Sequence, residues 1–405
     1  MRAPRTATKP RRGQGRNLSD SDVERLREAL LFSSYSYVAG STHGFYHYPA
    51  RFSPAIARAV IEVFSDPGDW ILDPFMGGGT SVIEGLAMGR RVAGIDINTL
   101  AHFVTKVRTS PLSRSDEREL HRWAKASSTR FGSGDITGIA TVEIKNLPGA
   151  VKAFAAGALR ECASLSTPKQ KAFARCVLLR LGQWALDCRD IIAPRRRRLA
   201  TKLPELTSAM ISGLRDFVSQ CRRAGIPKER VPRNRRLLCR SVVGLEEDDR
   251  LATLHRKPKL VFTSPPYPGV HVLYHRWQYR GRRETAAPYW IASARDGRFE
   301  SFYTGGSRTP TGQANYFRMI ANAFGSIRHV IDPDAAVVQL VGFADTSTQL
   351  PLYLQAMHDA GFEEWRPSVV GKDRLGRRVP NRKWYARLQG DLDASSEVLL
   401  LHRLR

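Results

Sequence analysis

Apolar positions along the chain follow two periods in turn. From Asp20, the residues Val23, Leu26, Ala29 and Leu30 recur three and four apart behind a Ser19-Asp20 cap, the spacing of one helix face. His47-Tyr48-Pro49-Ala50-Arg51-Phe52-Ser53-Pro54 opens a second helix, with Ile56, Ala57, Val60, Ile61 and Phe64 on one side. Asp66-Pro67-Gly68-Asp69 marks a turn. Trp70-Ile71-Leu72 predicts a short strand running into Asp73-Pro74-Phe75-Met76-Gly77-Gly78-Gly79-Thr80. Ser81 to Met88 predicts a helix closed by Gly89, and Arg91 to Ile95 a strand ending at Asp96. Strand, helix and strand within about thirty residues make a βαβ unit, which implies a parallel sheet.

Between about 105 and 235 the pattern is helical. Phe173, Val177, Leu181, Trp184, Cys188 and Ile191 form one apolar stripe, and Leu203, Leu206, Met210, Leu214, Phe217 and Cys221 another. Such stripes are first of all packing surfaces. Strand pattern resumes with Lys259-Leu260-Val261-Phe262, leading into Thr263-Ser264-Pro265-Pro266-Tyr267-Pro268. Tyr316 to Val330 predicts a helix, Ala335 to Phe343 a strand, and Leu350 to Ala360 a helix ended by Gly361. Two last strands are expected near Trp384 to Leu388 and Glu397 to His402. Strands and helices alternate to the end without a repeat, so the class is α/β.

Charge changes the picture. The 405 residues carry 64 Lys plus Arg against 38 Asp plus Glu, a formal net charge of +26, which points to a polyanionic partner. Residues 1–19 hold six basic residues and no acid, too little apolar surface to order themselves, and read as a flexible basic arm or a solvated tail. From 195 to 240 there are 14 basic residues and three acids. No apolar run reaches the length of a membrane span and no apolar segment follows the first basic residues, so a soluble, cytoplasmic protein is expected. The five cysteines, Cys162, Cys176, Cys188, Cys221 and Cys239, show no CxxC spacing. Buried reduced thiols are expected, with no metal site.

Asp73 to Thr80 lies where a ligand-binding turn belongs, between a strand end and a helix start. Glycines there let the backbone approach a ligand, and strand ends of a parallel sheet form the crevice. Asp96, at the end of the next strand, stands where an acid takes ribose hydroxyls in dinucleotide folds. The turn is neither GxGxxG nor a P-loop, so neither a pyrophosphate site nor NTP hydrolysis is expected; a plain tight turn stays open. Ser264-Pro265-Pro266-Tyr267 follows another strand. Its prolines set φ and remove two donors, Ser264 offers a hydroxyl, and Tyr267 a flat ring, which suits a planar amino-bearing base lifted from its helix.

Together these residues resemble the amino-methyltransferase family of DNA methylases, which use S-adenosylmethionine. His47 to Pro54 resembles the N-terminal cofactor motif, Asp73 to Thr80 with Gly94-Ile95-Asp96 the main one, and Ser264 to Tyr267 the catalytic tetrapeptide. The resemblance covers residues 43–106 and about 240–402. It implies a class I methyltransferase (Rossmann-like) fold, a seven-stranded, mostly parallel sheet with a final antiparallel strand, here carrying a helical insertion. It further implies S-adenosylmethionine held by Tyr48, Phe52, Asp73, Phe75, Gly77, Gly79, Thr80 and Asp96, with Asp96 on the ribose. Ser264 and the Pro265 carbonyl would accept the amine hydrogens while Pro266 and Tyr267 complete the catalytic motif and the ring stacks on the base. SPPY is typical of N4-cytosine methylases, DPPY and NPPY of N6-adenine ones. No Pro-Cys pair is present, which disfavours attack on a ring carbon. Two departures stand out: the cofactor motif precedes the catalytic one with roughly 100 residues inserted, and Cys239-Arg240-Ser241 stands where relatives often carry an acid near the adenine. Glu246 and Glu247 lie farther on.

The resulting division is a flexible arm (1–19), a first methyltransferase part (20–106), a helical basic insertion that is a candidate DNA-recognition region (107–235), and a second methyltransferase part (236–405). For DNA, the expected residues are Arg195, Arg196, Arg197 and Arg198 on the insertion. The loop after the catalytic motif adds Tyr274, Arg276, Trp277, Arg280, Arg282 and Arg283, where basic and aromatic residues alternate. Solvated helix charge and a loop packed over the sheet edge are the alternatives. The expected function is site-specific methylation of cytosine N4 in DNA, by base flipping. Adenine N6 or RNA as target, and a non-catalytic binding scaffold, stay open, as does a cognate restriction endonuclease or another defence-system partner beside nucleoid DNA.

Overall fold

The computed structural model describes residues 17–33, 40–48, 53–132, 143–187, 192–269, 271–275, 277–279, 283–294, 302–304, 306–371, 373–379 and 395–405. In chain order, α1 (Asp20–Phe32) begins at a reciprocal cap, Ser19 Oγ accepting from the Asp22 N–H at 3.2 Å while Asp22 takes the Ser19 N–H at 3.0 Å. α2 (Pro54–Phe64) starts on Ser53, with Pro54 in its first turn. Then come β1 (Trp70–Asp73), α3 (Thr80–Ala87), β2 (Arg91–Asp96) and α4 (Thr99–Arg108). Four long helices follow: α5 (Arg114–Gly132), α6 (Gly149–Ala163), α7 (Pro168–Leu186) and α8 (Arg196–Arg223). After β3 (Arg235–Cys239), short α9 (Asp249–Ala252) and β4 (Leu260–Thr263), the small strands β5 (His271–Leu273), β6 (Gln278–Tyr279), β7 (Arg283–Glu284) and β8 (Phe302–Thr304) form two hairpin-like pairs around α10 (Ala287–Ala292). The chain closes with α11 (Pro310–Val330), β9 (Ala336–Phe343), α12 (Thr346–Asp359), β10 (Phe362–Glu364), β11 (Gly376–Val379) and β12 (Ser395–Leu404).

The main sheet runs β10-β12-β9-β4-β1-β2-β3, with β11 added on β12. Neighbours from β9 through β4, β1 and β2 to β3 are parallel; β12 is antiparallel to β9, β10 and β11. This is the α/β methyltransferase-type sheet that the resemblance implies, with an eighth strand added. β1 lies between β4 and β2 and is buried at every position. Its alternate residues feed two cores. Ile71 joins the cluster with α1, α2, α3, α7 and α8, while Leu72 joins the one with α11 and α12. The apolar stripes of α7 and α8 therefore share a core with the first βαβ unit, as Phe173 and Phe217 lie in the same cluster as Val60 and Ile83.

Some expectations fall elsewhere. The strand expected at Trp384 to Leu388, the arm residues 1–16, and Cys188 and Ile191 of the first stripe lie outside the described residues. Cys162, Cys176 and Cys221 are buried, and burial pushes the last two thiols up to about 12. Cys239 is exposed instead, because it is the last residue of the edge strand β3.

Candidate active site at the carboxyl edge of the sheet

Three strands that lie side by side, β4, β1 and β2, end at the same edge: β1 on Asp73, β2 on Asp96, and β4 directly before Ser264. Asp73 closes β1. Its carboxylate is fully buried and accepts from the Ser81 hydroxyl, the Thr263 hydroxyl at 2.7 Å and the Phe75 N–H at 3.2 Å. Desolvation pushes its pKa up to about 6 against those bonds. Asp73 thus ties the glycine turn to the last residue of β4, directly before Ser264.

In the turn, Gly79 sits at φ 77°, and a Cβ there would lie 2.5 Å from Thr105 Cγ2, so a side chain is excluded twice over. Gly78 lies against Tyr48, whose ring is buried, and the Gly78 carbonyl accepts from the buried Arg108 guanidinium, which also bonds the His43 carbonyl at 3.1 Å and that of Tyr46. The Gly77 N–H donates to Asp96 at 2.9 Å. Thr80 is buried in the first turn of α3, and Phe75 is half-buried against the α11 side of the sheet. Phe52 lies outside the described residues.

Asp96 ends β2 and is nearly buried. One oxygen takes the Gly77 N–H; the other takes the Asn98 N–H at 2.8 Å and the Tyr274 hydroxyl at 3.0 Å. Desolvation outweighs these bonds and pushes Asp96 up to about 6. Tyr274 in turn packs edge-on against Tyr48, ring centroids 5.6 Å apart. The acid, the turn and the first motif therefore meet in one cluster.

Ser264 follows β4. Its hydroxyl donates to the Tyr267 oxygen at 3.2 Å, and Tyr267 donates to Glu397 at 2.9 Å. The Pro266 carbonyl accepts from Tyr316 at 2.7 Å. No described protein donor takes the Pro265 carbonyl. Of the two carbonyls the prolines orient, the one expected to meet the amine is the one left open. Burial, reinforced by the Glu397 charge, raises the Tyr267 pKa well beyond its ordinary range. Thr263, Ser81, Thr105, Arg108, Tyr316 and Glu397 were not anticipated. Only Thr263, adjoining the tetrapeptide, carried a local signal.

A family profile described as DNA methylase matches residues 4–105, the segment that holds both cofactor motifs. The Type II methyltransferase M.MvaI of Kocuria varians is 43% identical over 77 residues, and M.MjaII of Methanocaldococcus jannaschii 33% identical over 66. Over these segments the chain is similar to DNA amino-methyltransferases. The shared stretches cover 18% and 16% of this chain and only 17% and 12% of those two relatives' own lengths. A solved structure, the rRNA methyltransferase aviRa from Streptomyces viridochromogenes, aligns over 95% of this chain and 94% of its own at 12% identity. Its TM-score of 0.32 is too low to bear on fold or function.

The residues expected to meet DNA divide sharply. Trp277 is not a surface platform: it is fully buried, and a Cβ on Gly182 of α7 would lie 2.3 Å from its ring. Tyr274 is 4% exposed and committed to Asp96, and Tyr289 is buried with its hydroxyl accepting from Asn98 at 2.7 Å. Trp277 lies against α7, and Tyr274 and Tyr289 are bonded at the end of β2 and the start of α4, so these three rings are core. Arg276, Arg280 and Arg282 lie outside the described residues, as does the side chain of Arg283. Arg195, Arg197 and Arg198 are exposed and Arg196 half-buried at the start of α8, whose first turn holds no acid. Arg198 lies over Trp184, 5.6 Å from the ring centroid.

The residues that follow β3 include no acid before Glu246. Arg240 donates to Asp248 at 3.0 Å, and Arg250 adds a second pair at 2.7 Å, which holds Asp248 well below the carboxylate range. Glu246 and Glu247 are exposed. Among the described residues, no group of His, Cys, Asp and Glu forms a metal cluster, and no helix is long and apolar enough to cross a membrane.

Proposed function

We propose that this chain is an S-adenosylmethionine-dependent DNA methyltransferase that modifies the exocyclic N4 amine of cytosine. One observation carries it. The cofactor turn, the ribose-type acid and the SPPY motif converge on one sheet edge, linked by Thr263 to Asp73 at 2.7 Å and Gly77 to Asp96 at 2.9 Å.

The donor set fits the cofactor. Asp96 is an acceptor in a nearly buried position, and among the described residues the Tyr274 hydroxyl is the one side-chain donor to it, a bond that ribose hydroxyls replace without disturbing the backbone donors. Asp96 would hold the ribose, with Tyr48 and Phe75 walling the site and Gly77 to Thr80 giving it close backbone approach. When bound, S-adenosylmethionine supplies a methyl group on a sulfonium, open to a nitrogen nucleophile.

The chain's own work is on the amine. An amine lone pair delocalised into its ring is a poor nucleophile. Ser264 Oγ and the Pro265 carbonyl accept the two amine hydrogens, which localises that pair toward the methyl donor, and the surplus proton leaves to water. Stacking on Tyr267 orients the base. Serine at the head of the tetrapeptide supports cytosine N4 over adenine N6. Arg195, Arg197 and Arg198 neutralise backbone phosphates.

The test is incubation with labelled S-adenosylmethionine and mixed-sequence DNA, then nucleoside mass spectrometry. N4-methylcytosine is expected. N6-methyladenine would overturn the choice of base, and absence of any methylated nucleoside while cofactor binds would overturn the enzyme reading.

A further inference from the structure

Ser264 has to act as an acceptor, yet a serine hydroxyl is also a donor and turns freely. Something must decide which way its hydrogen points. The arrangement behind the tetrapeptide does so. Arg377, Glu397 and Gly342 lie in register across β11, β12 and β9. The Tyr267 ring lies on Gly342, where a Cβ would come within 2.7 Å of it, so only glycine admits the ring at this place. That seat brings the Tyr267 hydroxyl to Glu397 Oε1 at 2.9 Å. The other oxygen, Oε2, takes both Arg377 Nε at 2.7 Å and Nη2 at 2.6 Å, and Arg377 Nη1 reaches Ser33 Oγ at 2.6 Å. Glu397 and Arg377 are 8% and 7% exposed. Nothing else described in the site uses this pair, and Glu397 stands 130 residues beyond Tyr267.

We propose that Glu397, held by Arg377, is a positioning residue that sets the direction of the hydrogen-bond chain through Tyr267, so that Ser264 faces the target only as an acceptor. A carboxylate has no hydrogen to give, so the bond to Tyr267 has one direction, phenol to Glu397. The Tyr267 oxygen is then left to accept, and the Ser264 hydroxyl, 3.2 Å away, spends its single hydrogen there. The raised pKa of Tyr267 keeps its phenol protonated and the direction intact. What the cleft meets is two acceptors, Ser264 Oγ and the Pro265 carbonyl. This pair matches a ring –NH2 and refuses a ring carbonyl, which would leave acceptors facing an acceptor. The inference rests on the amine-methylation reading above and deepens it.

The test uses the full chain with labelled S-adenosylmethionine and DNA under single-turnover conditions. Glu397→Gln places an amide that can donate to Tyr267 and release its hydrogen toward Ser264. Tyr267→Phe keeps the ring and removes the relay without touching a charge, so it serves if Glu397→Gln fails to fold. Each is expected to slow methyl transfer about tenfold or more, with the cofactor Kd within about twofold of the parent. Combined with Ser264→Ala, neither is expected to slow it further, since no hydroxyl remains to be directed. A purely structural role would instead multiply the two losses. Parent-like rates in both single variants, or multiplying losses in both doubles, overturn the relay. A parent that methylates no amine overturns the underlying reading instead.

Discussion

Asp96→Asn is the sharpest test of the cofactor site, because the structure sets its size and its pH dependence. The carboxylate offers two oxygens, and the ribose of the cofactor would donate a charge-assisted hydrogen bond to them in place of Tyr274. Such a bond contributes ~1.5–3 kcal/mol, so asparagine should raise the Kd for S-adenosylmethionine roughly 10- to 150-fold. The amide also sets an –NH2 against either the Gly77 or the Asn98 N–H, costing the fold about 1–3 kcal/mol. Thermal melting must therefore accompany calorimetry. The pH profile separates the two effects. Burial holds the free Asp96 up at about 6, and hydroxyl donors favour its charged form, so its pKa falls on binding. Kd should then be flat above about pH 6 and rise by up to about tenfold per unit below it. The asparagine variant, with nothing to titrate there, should lose that rise. Asp73 also titrates at about 6, but it is common to both proteins. A variant that melts normally yet binds cofactor within threefold of the parent, with the same pH slope, would remove Asp96 from the site.

Three further outcomes are expected. Gly79→Ala should destabilise the fold by about 2–4 kcal/mol, from the left-handed backbone and the close approach to Thr105; an unchanged melting temperature would refute the turn geometry. Replacing Arg195 and Arg197 together by Gln should weaken DNA binding and flatten the slope of log K against log salt by about 2. It should not lower the melting temperature, because cations at a helix N-terminus oppose its dipole; an unchanged slope would show that α8 does not meet phosphates. Tyr274→Phe removes a donor that occupies Asp96 in the free protein, so the Kd for cofactor should fall about tenfold. Weaker binding would show that the hydroxyl holds the pocket open for its ligand.

The order of strands and helices is legible in the sequence because it depends on local periodicity. Ile71 and Leu72 already announce a strand buried on both faces, and the stripes of α7 and α8 announce helices with one packing side. The motif residues are legible too, since Asp73, Gly77 to Gly79, Asp96 and Ser264 to Tyr267 each need a residue type that a strand end alone demands. Which partner each one meets is a different matter. Pairing across the sheet depends on register, and register is decided by the whole packed assembly. Glu397 and Arg377 look like ordinary alternating strand residues until β11 and β12 pair and place them beneath Tyr267. The aromatic residues Tyr274 and Trp277 misled for the same reason. Composition cannot tell a ring that stacks on a base from one that fills a core, and Trp277 lies inside because Gly182 leaves room for it. Sequence alone determined the chemistry on offer at three strand ends; tertiary structure decided which groups are already spent on one another, and so which remain for a ligand.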